Sequence, residues 1–326
     1  MPNQKKFFAH EVGTLNIIRL SYPLSSEIEL QPCAVAMGYF DGVHIGHRRV
    51  IQRAIDHAQA HGIKSGVLTF DPHPREVLGR SGYSQYITPL DDKLEQFEKM
   101  GVDIVFVMQF DIAFSSIYPE DFVEEVILPL QVKHIVVGFD NTFAYRGMGT
   151  TQTLLELSKD RYTVDIIGPV NRLGEKVSST IIREYLHQGE VEQARHLLGR
   201  PYKVKGTVIH GDKRGRTIGF PTANVGVDEP YLIGKNGVYG VRITVDGQTY
   251  DGVMNIGIKP TFELEKREKS LEVHIMGFKD EIYGKNVEVE LLFMIRDEIK
   301  FSGVDALVAQ IQQDVNFAKD KFAKLA

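Results

Sequence analysis

His44 and His47 stand one helical turn apart within Gly38 to His47 (GYFDGVHIGH), a stretch that follows an apolar run and opens an amphipathic one. Imidazoles so spaced face one ligand, and both can donate to phosphate oxygens and offset charge developing at phosphorus. Gly42 and Gly46 let backbone approach closely. A helix start adds unpaired N–H groups and a positive dipole end. An isolated His-x-x-His is more often a metal pair or two surface histidines. Here the strand–turn–helix context and the glycines favour a phosphate site. A second stretch, Gly206 to Asn224 (GTVIHGDKRGRTIGFPTAN), places Gly211, Gly215 and Gly219 four residues apart. Its amides could cover phosphates. Thr222 and Asn224 offer neutral oxygens to a magnesium ion bridging phosphates. The competing reading is a flexible glycine-rich hairpin.

The elements needed to hold these residues are legible. Residues 33–37 are a continuous apolar run, a buried strand, and Val50, Ile51, Ala54, Ile55 and Ala58 then recur at helical spacing. Strands are predicted over 63–70, 103–110, 134–138 and 162–167, alternating with helices over 91–100, 119–130 and 150–159. That alternation predicts a Rossmann-like, doubly wound parallel sheet, whose ligands bind beyond the carboxyl ends of the strands. After residue 200 the pattern changes to strands over 204–209, 237–245, 249–256, 271–275 and 287–295. Asp246 and Gly247 form a two-residue hairpin turn. A final helix, with Ser302 as its cap, lines up Val304, Leu307, Val308, Ile311, Val315 and Phe322. The second half is therefore predicted to be a small antiparallel β-barrel with a terminal helix. The predicted domains are 1–188 and 201–326, with 189–200 as connecting helix and linker.

Composition agrees with two ordinary globular domains. The chain has 326 residues, 43% of them hydrophobic and 25% charged, which excludes a disordered or collagenous chain. A net charge of -5 excludes a broad basic surface for nucleic acid. The single cysteine, Cys33, excludes an intrachain disulfide and cysteine-rich metal sites, and suits a cytoplasmic setting. No apolar run approaches the roughly 18 residues that span a bilayer. A monomer acting on small molecules, without nucleic-acid or membrane partners, is expected. Neither a P-loop nor a full dinucleotide fingerprint is present, since Gln152 stands where the last glycine after Gly147 and Gly149 should be.

The first stretch resembles the HxGH nucleotidyltransferase signature. Gly38, Phe40, Asp41, Gly42, His44, Gly46 and His47 resemble more closely the adenylyltransferase module of bacterial FAD synthetases. Thr69 to Pro74 (TFDPHP), Gly138 to Phe143 (GFDNTF) and Val177 to Arg183 (VSSTIIR) fall where that family has its further motifs. The second half resembles riboflavin kinase at Gly219 to Asn224, Asn236 to Tyr239, Asn255 to Gly257, Pro260 to Phe262 and Ile295 to Phe301. The order of the two matches the bacterial bifunctional riboflavin kinase/FMN adenylyltransferase family.

That resemblance implies ATP, riboflavin, FMN and FAD as substrates and products, with Mg2+. It implies His44, His47 and Arg183 as catalytic groups for adenylyl transfer, and Glu272 as the base for the riboflavin 5′-hydroxyl. ATP phosphates would meet Gly38, Phe40, Asp41, Gly42, Gly46, Ser178, Ser179 and Thr180 in one half. In the other they would meet Gly211, Gly215, Gly219, Thr222 and Asn224, the last two holding the metal. Phe70, Pro72, Asn141, Phe220, Tyr239 and Arg296 would meet flavin. Lys213 and Arg216 are further candidates for phosphate. The chain departs from the family at Ile181, normally an arginine, and over 144–149. Those departures leave open a riboflavin kinase with a weakened or regulatory first half. A flavin- or nucleotide-sensing protein is the alternative from another class.

Overall fold

The computed structural model describes the chain apart from residues 1–9, 13–14, 26–29, 80–83, 212–214, 216–217, 259–268 and 326. The chain divides into two compact units, Met1–Val177 and Ser178–Ala326.

The first unit is built on a sheet of β1 (His10–Val12), β2 (Leu15–Leu20), β3 (Cys33–Met37), β4 (Lys64–Asp71), β5 (Ile104–Gln109), β6 (Val132–Gly138) and β7 (Thr163–Ile167). The strand order is β1-β2-β5-β4-β3-β6-β7, parallel throughout except for the β1–β2 pair. The connecting helices are α1 (Ile45–His61), α2 (Leu90–Lys99), α3 (Pro119–Phe122) and α4 (Thr151–Ser158). Every residue of β3 is buried because helices cover both faces of the sheet. Its side chains alternate between two cores. Cys33, Val35 and Met37 join Phe106, Met108 and Phe122. Ala36 joins Ile51, Ala54 and Ile55 of α1. Alternation with period 2 against a helical stripe is the pattern the composition of these segments dictates. A single helix over 119–130 is not what forms. The α-helical turn ends at Phe122, and Val123–Ile127 widens into π-helical turns.

The second unit opens with α5 (Ser179–Gln188) and α6 (Val191–Leu198), which pack on each other. The stretch 189–200 is thus a helix of this unit, with α6 against the barrel strands β8 (Tyr202–Ile209) and β13 (Asn286–Arg296). The other strands are β9 (Ala223–Gly226), β10 (Gly237–Val245), β11 (Gln248–Ile258) and β12 (Lys269–Ile275). They close as a barrel in the order β8-β9-β12-β11-β10-β13, every pair antiparallel. Asp246 and Gly247 turn the β10–β11 hairpin with φ of 49° and 76°, both positive as a type I′ turn requires. The terminal helix α7 (Val304–Ala323) lays Val315, Ala318 and Phe322 on Val238, Val253, Leu292 and Phe293. Ser302 does not cap it. Gly303 occupies the N-cap and makes no side-chain hydrogen bond.

Candidate functional site

In the first unit, β4 follows β3 to one side and β6 lies on the other, so the chain switches direction at β3. A parallel sheet opens a crevice beyond its carboxyl edge at such a point. The residues leaving β3 fill it. Gly38 N–H still donates to Leu68 O, at 3.1 Å. Phe40, Gly42 and Val43 then take φ of 59°, 88° and 39°. Such values cost energy for Phe and Val, and persist where the surroundings fix them. Both side chains are anchored in the core, 4% and 0% exposed. The turn delivers His44 to the N-cap of α1, where its Nδ1 accepts from His47 N at 3.2 Å. In the neutral ring Nε2 then carries the proton and can donate to a phosphate oxygen. The two imidazoles stack at 3.5 Å, and Phe40 meets His47 edge-on at 5.2 Å.

The turn is pinned from its neighbours. Tyr39 O accepts from Thr69 Oγ1 at 3.0 Å and from Lys93 Nζ at 3.2 Å. Asp41, 3% exposed, accepts from Thr88 N–H at 3.1 Å. The Asp41 carboxylate and the buried Phe40 ring thus help to hold the turn in place.

Beyond β4 the Asp71–Pro72 peptide is cis, and Phe70 packs on Phe110 and Phe114. His73, 8% exposed, accepts from Arg75 N–H at 2.9 Å, and its ring lies 4.0 Å from that of Tyr39. Beyond β6, Asn141 Nδ2 is shut off from solvent with no hydrogen-bond acceptor among the described residues. An unmet buried donor costs roughly 1–3 kcal/mol, a cost a ligand acceptor would remove. The 144–149 turn is ordered by Tyr145 N–H, which donates to Ile117 O at 2.7 Å.

Ser178, Ser179, Thr180 and Arg183 open α5, in the second unit. Ser178 Oγ caps that helix by accepting from Ile181 N–H at 3.3 Å, and Arg183 is buried.

The barrel brings Asn224, Glu272 and Asn255 side by side on β9, β12 and β11, where Glu272 pairs with Asn224 on one side and Asn255 on the other. A cavity of about 310 Å³ is lined by Glu272 and Asn255 of this row. Its walls include Phe220, Val238, Val253, Ile311, Glu272 and Arg296. Apolar walls with few polar groups suit a flat aromatic ligand. Arg296 is held by Asp314 of α7 through bonds of 2.9–3.1 Å, and Gln310 donates to the same carboxylate at 2.9 Å. A second cavity of about 310 Å³ shares Thr222 with the first and runs to Phe278, Lys279 and Tyr283.

The glycine loop approaches this row closely. A Cβ on Gly211 would stand 2.2 Å from Asn224 Nδ2, and one on Gly215 would stand 2.3 Å from Phe220 O. Lys213, Arg216 and the segment 260–262 lie outside the described residues. Tyr239, expected to meet flavin, does not line the cavity beside Glu272. It is fully buried, its hydroxyl donates to Lys235 O at 2.7 Å, and burial pushes its pKa up to about 12.

Sequence reasoning missed Lys93, Asp314 and the 278–283 wall. Lys93 reads as an ordinary helix lysine, and Asp314 lies 18 residues beyond the arginine it holds. Thr222, absolutely placed by its motif, gave no hint of a second cavity behind it.

Comparison with known proteins follows the same division. A family model for FAD synthetase matches residues 26–181, and one for riboflavin kinase matches residues 198–322. The bifunctional riboflavin kinase/FMN adenylyltransferase of Listeria monocytogenes is 46% identical over 89% of this chain and 93% of its own. That of Bacillus subtilis is 42% identical over 95% and 99%, and that of Escherichia coli K12 34% over 91% and 95%. A crystal structure from Streptococcus pneumoniae, described as a macrolide-efflux protein, superposes with a TM-score of 0.85 at 32% identity over 92% of this chain and 98% of that one.

Proposed function

The chain belongs to the bifunctional riboflavin kinase/FMN adenylyltransferase family, whose members phosphorylate riboflavin and adenylylate FMN, and from that premise we propose how its residues divide the two reactions. Adenylyl transfer belongs to the first unit. The phosphate of FMN, already ionised near neutral pH, attacks the α-phosphorus of ATP. A P–O bond forms, the bond to the β-phosphate oxygen breaks, and pyrophosphate leaves. The problem is bringing two anions together, so positioning and charge stabilisation carry the rate. His44, His47 and the N-terminal amides of α1 meet the phosphates, and Asn141 supplies its unmet donor to the ligand.

Riboflavin phosphorylation belongs to the second unit. Riboflavin enters the apolar cavity with its ring against Phe220 and Arg296. Its 5′-hydroxyl gives its proton to Glu272 as the oxygen bonds the γ-phosphorus, the bond from that phosphorus to the β-phosphate oxygen breaks, and ADP leaves. ATP enters from the cavity on the other side of Thr222, with phosphates under Gly211, Gly215 and Gly219. Thr222 and Asn224 fit Mg2+ as hard, neutral oxygen donors to an ion that keeps few protein ligands, and the ion would shield phosphate charge. The observation that carries this reading is that Glu272 lines one cavity with Arg296, which Asp314 holds fixed.

We further infer a monomer acting in the cytoplasm. Cys33 is buried, with burial pushing its pKa up to about 12, as suits a packing thiol. Among the described residues no helix is long and apolar enough to cross a membrane.

The test is purified protein with riboflavin, ATP and magnesium, followed by chromatography of the flavins. FMN and then FAD are expected. Formation of neither flavin overturns the reading. FMN alone favours a riboflavin kinase with a regulatory first half, with Ile181 and 144–149 as the cause.

A further inference from the structure

Lys93 of α2 is 1% exposed, a rare place for a lysine. Its neighbours explain where it points. Nζ donates to Tyr39 O at 3.2 Å and lies 3.9 Å above the Tyr39 ring. The carboxylates of Asp41 and Asp71 favour its charge, but burial outweighs them and its pKa falls to about 8. A charge kept at that cost, where methionine or leucine would fill the space, calls for a role beyond packing. Tyr39 is the residue between Gly38 and the strained Phe40–Val43 turn, so whatever fixes its carbonyl fixes the amides and the imidazole of His44 that follow.

We propose that Lys93 is a positioning residue for adenylyl transfer, its ammonium holding the Tyr39 carbonyl and with it the turn that presents His44 and the start of α1 to phosphate. The proposal rests on the placement of that reaction in the first unit. A charged amine anchors a carbonyl more strongly than a neutral one, by roughly a factor of two in bond energy. It also balances Asp41 and Asp71 and adds positive potential behind the phosphate site. Loss of the proton weakens all three effects together.

The groups that act on it are Tyr39 and Asp41 of the turn and Asp71 at the end of β4; Arg19, Glu76 and Asp91 act in turn on Asp71, and the rings of His73 and Tyr86 lie against Tyr39. Burial raises the hydroxyls of Tyr39 and Tyr86 above their ordinary range, so neither competes for a proton near pH 8.

The experiment measures kcat for FMN adenylylation and for riboflavin phosphorylation by the full chain, from about pH 6.5 to about 9.5. FAD formation is expected to fall above about pH 8 while phosphorylation shows no such limb. Lys93→Arg, always charged, should keep FAD formation within about tenfold and lose the limb. Lys93→Met should lower FAD formation by at least about tenfold with phosphorylation unchanged. A flat wild-type profile, the same limb in the arginine variant, or full FAD formation by the methionine variant overturns the proposal. Should the methionine variant fail to fold, the wild-type and arginine profiles decide. His47→Ala separates the premise: if it too leaves FAD formation intact, the placement of the reaction fails, and if it alone abolishes it, only the role of Lys93 does.

Discussion

The two units handle the same nucleotide with different architecture. In the first, the site is a rim: loops leaving parallel strands, a helix start, two stacked imidazoles. In the second, it is a wall: side chains standing on adjacent strands of a closed barrel, with Glu272 among them. The difference follows the nucleophile. A phosphate of FMN is already charged near neutral pH and needs only to be brought up against another anion, which backbone amides and histidines at a rim can do. A ribityl hydroxyl must lose a proton, and on the proposed assignment Glu272, standing on a barrel strand, would be held ready to take it. Architecture here is chosen by where the proton is.

This contrast can be broken by variants that should each touch one reaction. Glu272→Gln keeps the shape and removes the base. It should lower kcat for riboflavin phosphorylation by about 10²–10⁴-fold, with adenylylation of supplied FMN unchanged. Equal loss in both assays would remove the distinction. His47→Ala should lower FAD formation by roughly 10²-fold, the scale of one lost transition-state donor, and leave FMN formation alone. A fall in FMN formation would show the sites to be coupled.

A third prediction concerns stability. Burial, and then the neighbouring His57, push the pKa of His134 down to about 4, from an ordinary 6.5. Its ring stacks on His57 at 3.5 Å and bonds Thr163 at 2.6 Å. A base whose folded pKa is depressed binds fewer protons than the unfolded chain, so the first unit loses stability as pH falls from 6.5 towards 4. At pH 5 the loss is about 2 kcal/mol, or roughly 4–8 °C in melting temperature. Hydrogen exchange on peptides of α1 and β6 between pH 7 and 5 should show it, and His134→Gln should flatten it. The smallest effect is expected from Asp314→Asn. Loosening the grip on Arg296 should raise KM for riboflavin about tenfold, or 1.4 kcal/mol, with kcat little changed. A fall in kcat alone would assign Arg296 to the phosphate rather than to the ring.

Much of this was legible in residues with strong local reasons. The apolar 33–37 run, the helical spacing from Val50 to Ala58 and the Asp246–Gly247 turn each specify their element almost alone. What was not legible depends on distant partners. Lys93 looks like a solvated lysine until the β3 and β4 loops close over it. Tyr239 sits in a kinase-like motif, yet the barrel turns it into the core, where its hydroxyl finds Lys235 O. Asp41 carries motif identity but spends its carboxylate on Thr88, 47 positions away. Ser302 has the right chemistry for a cap, but the first turn of α7 forms one residue later, at Gly303.

The barrel closes when β8, its first strand, pairs with β13, its last, from Tyr202 opposite Leu291 to Thr207 opposite Asn286. Arg296 then waits for Asp314. During synthesis from the amino end, the parallel sheet has all its strands once Ile167 has left the ribosome, whereas the barrel cannot close before β13 has emerged, nor Arg296 be fixed before Asp314 has followed. A chain cut between Val177 and Asp314 should therefore lose phosphorylation while keeping the sheet, so FMN formation reports on the far end of the fold.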